Sequence, residues 1–175
     1  MAGNTLGGGG GGGLDAVGWE ALRVGVLEKR GCGWLEYHIE PVTLHSGARS
    51  HWLVRSDLIF ADEELREAVL QRWRQLLPGD ADLVAVPTGG VVWAEAFCER
   101  FSSCDYKLYP FTPAVAHPLW PGGGRLFAVV DDVATTGASL GQLPHAQRRL
   151  VVVDRTLEAP EKEILSWARI PLPVL

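Results

Sequence analysis

Three short stretches of the chain are wholly apolar: Leu83-Val84-Ala85-Val86, Leu126 to Val130, and Leu150 to Val153. A strand with one wet face alternates polar and apolar residues, and these runs do not. Helix-patterned or irregular sequence separates them. Strands buried on both faces and alternating with helices imply a parallel sheet covered on both sides, an α/β fold. Ligands of such sheets bind at the carboxyl ends of the strands. All three runs end in polar, glycine-rich or charged sequence: Pro87-Thr88-Gly89-Gly90, Asp131-Asp132 and Asp154-Arg155. These ends are expected side by side on one rim.

The remaining sequence supplies the other elements. Residues 1–13 contain seven consecutive glycines, Gly7 to Gly13, and are expected to form an arm that does not order itself. Val17, Ala21 and Val24 have helical spacing, with Gly31 as a stop, so a helix is expected over 14–30. Residues 33–45 and 51–60 read as strands joined by the turn His45-Ser46-Gly47-Ala48-Arg49-Ser50. Asp62, Glu63 and Glu64 open a helix to about Leu77 whose core face is Leu65, Val69, Trp73 and Leu76. A helix to about Phe101 follows Gly90, and Tyr106 to Tyr109 reads as a strand. Residues 110–124 read as irregular, and a final helix is expected over 158–168.

At 175 residues the chain suits one domain, 14–175, behind the arm. A net charge of −5 argues against a generally basic nucleic-acid coat, though not against a local anion site. No stretch approaches about 18 uninterrupted apolar residues, so no membrane span is expected. No signal peptide is expected either, because no basic region precedes an apolar core at the start. Cys32, Cys98 and Cys104 are an odd count without metal-site spacing, which fits a reducing cytoplasm. Cys98 and Cys104 read as a ligand pair or as buried thiols.

The segment Asp131 to Ser139 is richest in chemistry. Two carboxylates leave a buried strand, and a Thr-Thr-Gly-Ala-Ser turn then opens a helix. Hydroxyls and backbone N–H groups at a positive helix end cradle phosphate. The acids beside it suit ribose hydroxyls or a metal-bound water. Taken alone, such a turn is more often a capped helix start. The full string Val129-Val130-Asp131-Asp132-Val133-Ala134-Thr135-Thr136-Gly137-Ala138-Ser139 resembles the 5-phosphoribosyl 1-pyrophosphate signature of type I phosphoribosyltransferases.

The resemblance implies that Asp131 and Asp132 face ribose, directly or through a metal-bound water. It implies that Thr135, Thr136, Gly137, Ala138 and Ser139 hold the 5-phosphate. Thr88, Gly89 and Gly90 resemble the family's pyrophosphate loop. Leu44-His45-Ser46-Gly47-Ala48-Arg49-Ser50 resembles the N-terminal part of orotate phosphoribosyltransferases, and Asp154-Arg155 their Asp-Arg pair. By that likeness Arg155, with His45, meets the orotate carboxylate, and Leu53 and Val54 flank the base where aromatic residues often stand. The fold implied is a parallel sheet with helices on both faces (core about 61–155) and a small hood (about 14–60 plus the C-terminus). Mg²⁺ and a homodimer are implied as well, with Asp131 and Asp132 as the metal-side residues. Phe111 and Trp120 are interface or core candidates.

The sequence departs from that family in three places. Residues 110–124, where its Lys- and Arg-rich catalytic loop would lie, contain no Lys, Arg, Asp or Glu, and His117 is their only titratable group. One imidazole does not replace several cations around a leaving pyrophosphate. Lys107 and Arg125 flank the stretch and read as parts of strands. His45 stands where those enzymes typically have a lysine, and Pro144 shortens the helix after Ser139. The leading expectation is transfer of phosphoribose from 5-phosphoribosyl 1-pyrophosphate to orotate, giving orotidine 5′-phosphate and pyrophosphate. The alternatives are a non-catalytic binder of the same fold, acting as a sensor or regulator, and a transferase for another base.

Overall fold

The computed structural model describes residues 33–111, 125–157 and 164–175. The helix expected over 14–30, Cys32, and His117 and Trp120 within 112–124 lie outside the described residues. The described part opens with an antiparallel pair, β1 (Leu35–Thr43) and β2 (Arg49–Val54). Gly47, at φ 83°, makes the turn between them, where Leu44 N–H donates to the Ala48 carbonyl at 2.8 Å. A left-handed φ favours glycine because other residues crowd their own Cβ there.

The strand expected over 51–60 ends at Val54. Residues Ser56–Ala61 form a short helix, α1. Arg55 N–H closes the pair by donating to the Trp34 carbonyl at 2.7 Å, and the Arg55 carbonyl then accepts from Leu58 and Ile59 N–H. A run as short as Leu58-Ile59-Phe60 suits either state by periodicity, and tertiary packing decides it. Ile59 is fully buried, and Phe60 meets Trp93 edge-on at 5.0 Å between ring centroids.

Helix α2 (Glu63–Leu76) follows the sequence expectation. The Asp62 carboxylate caps it by accepting from Leu65 N–H at 3.0 Å, while Val69, Leu70 and Trp73 are buried. The core then runs β3 (Ala81–Ala85), α3 (Gly89–Arg100), β4 (Lys107–Pro110), β5 (Leu126–Ala134), α4 (Ala138–Gly141), β6 (Arg148–Asp154) and β7 (Leu165–Arg169). The five strands form one sheet in the order β4-β3-β5-β6-β7, and every pairing is parallel.

The helix expected over 158–168 is contradicted where it is described: Leu165–Arg169 is a strand instead. Leu165 and Ala168 fit helical spacing, but β6 offers an open edge, and its donors and acceptors pair with Leu165 to Arg169. Trp167 rests at 6.1 Å from Trp34, between ring centroids. The residues expected to start that helix, 158–163, lie outside the described ones.

The apolar runs are buried on both faces, as expected. Leu83, Ala85, Ala128, Val130, Leu150 and Val152 face a cluster with Trp73, Trp93 and Phe97 of α2 and α3. Val84, Val129 and Val151 face the other way, against Leu140, Leu143 and Ala146. Tyr109 and Phe111 pack on this second cluster, so Phe111 belongs to the core. Among the described residues no helix is long and apolar enough to cross a membrane.

Candidate active site

From β3 the chain steps outward to β4, then returns to the opposite side of β3 as β5. Reversals of this kind leave a crevice between the carboxyl ends of the two inner strands. Residues 87–90 leave β3 there, and Asp131 and Asp132 lie on β5. The turn of the β1–β2 pair overhangs the same place. Together they enclose a cleft of about 440 Å³.

Its walls come from four parts of the chain. Leu44, His45 and Ser46, with Leu53 and Val54, form the overhang. Val86, Pro87, Thr88 and Gly89 form one side, and Asp131, Asp132 and Val133 the floor. Thr135 and Ser139 close the far end, and Arg155 follows β6 into the wall. Thr136 and Ala138 are exposed beyond the lining, and Gly90 is buried beneath it. Sequence reading did not single out Val86, Pro87, Val133, Leu44 or Ser46 for the lining.

The glycines of the β3–α3 turn are there for lack of a side chain. A Cβ on Gly89 would stand 2.1 Å from Asp132 Oδ2, and one on Gly90 would stand 2.6 Å from the Val130 carbonyl oxygen. The turn therefore lies directly against the Asp131-Asp132 strand. The Pro87–Thr88 peptide bond is cis.

Asp131 is nearly buried, and its Oδ1 accepts from Asp132 N–H at 2.8 Å. Burial, and then the neighbouring Asp132 charge, push its carboxyl up to about 8. At neutral pH Asp131 therefore keeps its proton. Asp132 is held from two sides: Oδ1 accepts from Val133 N–H at 2.8 Å, and Oδ2 from the Ser56 hydroxyl at 2.5 Å. Sequence reading missed Ser56, because only the fold brings α1 to β5.

Beyond β5 the turn enters α4 through Gly137, at φ 74°. Thr136 Oγ1 accepts from Ala138 N–H at 3.4 Å. The helix spans only four residues, because Pro144 follows and the chain turns back toward β6. So short a helix has little macrodipole. An anion here would rely on the hydroxyls of Thr135, Thr136 and Ser139 and on turn N–H groups, rather than on the positive helix end the sequence suggested.

Arg155 is 1% exposed. Nη1 donates to the Trp52 carbonyl at 3.0 Å and Nη2 to Ser50 Oγ at 2.8 Å, while Nε has no partner. Burial lowers its pKa to about 10. Asp154 is not its partner. That carboxylate accepts from Thr156 through Oδ1 and pairs with Arg169 through Oδ2 at 3.3 Å.

Among the described residues Arg155 is the only Lys or Arg that lines the cleft. Lys107 and Arg125, which flank residues 110–124, sit at the opposite end of the sheet. Lys107 is level with Asp82 on β3, and Arg125 binds Asp82 at 2.8 Å and also Asp105. Asp82 is four strand positions before Val86, about 13 Å from the cleft rim. Cys98 and Cys104 are free half-buried thiols, with burial raising the Cys98 pKa. No cluster of three or more metal-ligating side chains occurs among the described residues. A pair of carboxylates still fits Mg²⁺, which takes one or two of them and completes its shell with phosphate oxygens and water.

No protein-family model matches the chain. None of the curated proteins matches it. Solved structures do. The crystal structure of orotate phosphoribosyltransferase from Aeropyrum pernix is 29% identical, with a TM-score of 0.59 over 83% of this chain and 92% of that one. The chain has the type I phosphoribosyltransferase fold.

Two further structures of this fold agree at lower identity. Orotate phosphoribosyltransferase from Mycobacterium tuberculosis H37Rv is 19% identical, with a TM-score of 0.53 over 84% of this chain and 95% of that one. UMP synthase from Leishmania donovani is 14% identical, with a TM-score of 0.55 over 88% of this chain and 40% of that one. The relationship to type I phosphoribosyltransferases, with most likeness to the orotate enzymes, supports a transferase.

Proposed function

We propose that this protein transfers phosphoribose from 5-phosphoribosyl 1-pyrophosphate to orotate, giving orotidine 5′-phosphate and pyrophosphate. The observation that carries this reading is the convergence of Asp131, Asp132, Thr88, Gly89, Thr135, Ser139 and Arg155 on one cleft. In this reading Asp131 and Asp132 orient the ribose hydroxyls. Thr88, Gly89 and Gly90 border the pyrophosphate, and Thr135 to Ser139 hold the 5-phosphate. Arg155 takes the planar carboxylate of the base, with His45 at the mouth and Leu53 and Val54 beside the ring.

Transfer develops positive charge on the ribose and negative charge on the departing pyrophosphate, so positioning and electrostatics carry the catalysis. With Asp131 protonated at neutral pH, the acidic pair repels an anionic substrate less than two charges would. Mg²⁺, when bound, would supply positive charge beside the pyrophosphate, and Asp132, with Asp131 once its proton is displaced, would hold it. Work in the cytoplasm as a homodimer belongs to the same reading.

A second reading has its own observation. Arg155 is the one Lys or Arg in the described lining, and Lys107 and Arg125 stand at the far end of the sheet. That favours a protein that binds phosphoribosyl pyrophosphate without turning it over. Isothermal titration with 5-phosphoribosyl 1-pyrophosphate and Mg²⁺, followed by orotate and a pyrophosphate-release assay, separates the two. Binding with turnover is the expected outcome. Binding without turnover on any base selects the sensor, and no binding at all overturns both.

A further inference from the structure

Arg155 is a buried cation without a carboxylate partner among the described residues. Its two bonds go to neutral oxygens, the Trp52 carbonyl and the Ser50 hydroxyl. A buried charge in that condition is costly unless an anion joins it. How the guanidinium is turned therefore decides which anion it can receive.

Ser50 is fully buried at the start of β2, and its hydroxyl is saturated. It donates to the Pro173 carbonyl at 2.9 Å and accepts from Arg155 Nη2 at 2.8 Å and from Trp52 N–H at 3.1 Å. A hydroxyl has one proton to give and two lone pairs, so its geometry leaves no freedom. Both Nη groups of Arg155 are thus pinned to β2. Nη2 has two N–H bonds, of which Ser50 takes one. That second N–H and the unpartnered Nε–H are donors of the kind a carboxylate accepts from.

We propose that Ser50 is a positioning residue, whose hydroxyl holds the Arg155 guanidinium in the cleft wall for a planar carboxylate. This rests on the reading above, in which the base carries that carboxylate. Ser50 touches no substrate itself, and its influence passes through Arg155. Without the hydroxyl, Nη2 loses its anchor, so the guanidinium swings more freely about the Cδ–Nε bond and exchanges Nη1 with Nη2 more readily.

The test compares wild type, Ser50→Ala and Ser50→Thr, each checked for folding by circular dichroism. Titration with orotate in the presence of pyrophosphate and Mg²⁺, which do not react with it, should show affinity reduced by about tenfold or more in Ser50→Ala. The affinity for 5-phosphoribosyl 1-pyrophosphate itself should stay within about twofold, and Ser50→Thr should recover most of the orotate binding. Unchanged orotate affinity, or equal weakening for both ligands, overturns the proposal. A second measurement needs no ligand. Guanidinium nitrogen spectra should resolve separate Nη1 and Nη2 signals for Arg155 in wild type and Ser50→Thr, merging in Ser50→Ala. Separate signals in folded Ser50→Ala, or merged ones in wild type, would overturn the positioning role. Failure of wild type to bind orotate would instead count against the base assignment, with the spectra still deciding the role of Ser50.

Discussion

Asp131 shows how far one residue departs from its free behaviour. Its carboxyl is raised from an ordinary 3.8 to about 8, by burial first and by Asp132 second. The folded state therefore keeps a proton that the unfolded chain gives up. The stability this lends is fully present below about pH 4 and is lost as pH rises through about 8. Chemical denaturation of the Mg²⁺-free protein across that window should show stability falling with pH, and Asp131→Asn should flatten the trend. A flat profile in wild type would show that the carboxyl is not raised. At this scale the sequence was legible where charge is local. Two acids leaving an apolar run mark themselves, whereas Ser50 and Ser56 are ordinary hydroxyls until the fold sets them against Arg155 and Asp132.

Among the elements, the β3–α3 turn is the most tightly specified. Gly89→Ala would drive a methyl group into the Asp132 carboxylate, which has no retreat without breaking its bonds to Ser56 and Val133. The expected cost is about 1–3 kcal/mol of stability by denaturant titration, together with weaker binding of 5-phosphoribosyl 1-pyrophosphate. A variant as stable and as tight as wild type would mean that the turn does not press on β5. The apolar runs announced β3, β5 and β6 because burial on both faces allows no other pattern. Two short elements were misread for one reason. Leu58-Ile59-Phe60 suits a strand by composition, and Leu165 and Ala168 suit a helix by spacing. Over so few residues packing outweighs both, so Ser56–Ala61 is helical and Leu165–Arg169 pairs with β6.

Across the whole molecule, the β1–β2 pair and the sheet share one core. Trp34, Leu35, Trp52 and Val54 belong to the same buried cluster as Trp73, Trp93 and Leu150. The closing residues lace the parts together. Ile170 N–H donates to the Asp154 carbonyl at 2.7 Å, Leu172 N–H to that of Arg155, and Leu175 N–H to that of Arg49 at 2.7 Å. Thermal melts followed by tryptophan fluorescence and by far-ultraviolet circular dichroism should therefore coincide in a single transition. An earlier fluorescence step would show the hairpin detaching on its own. The strand order carries a further consequence, for the nascent chain. β3 and β5 are neighbours in space, yet α3, β4 and the segment after it separate them along the chain. During synthesis β3 leaves the ribosome with its inner edge open, and it stays open until β5 emerges, at a rate of about 5–20 residues per second. Over those seconds the edge that will flank the cleft is bare, so the chain depends on whatever shields it then.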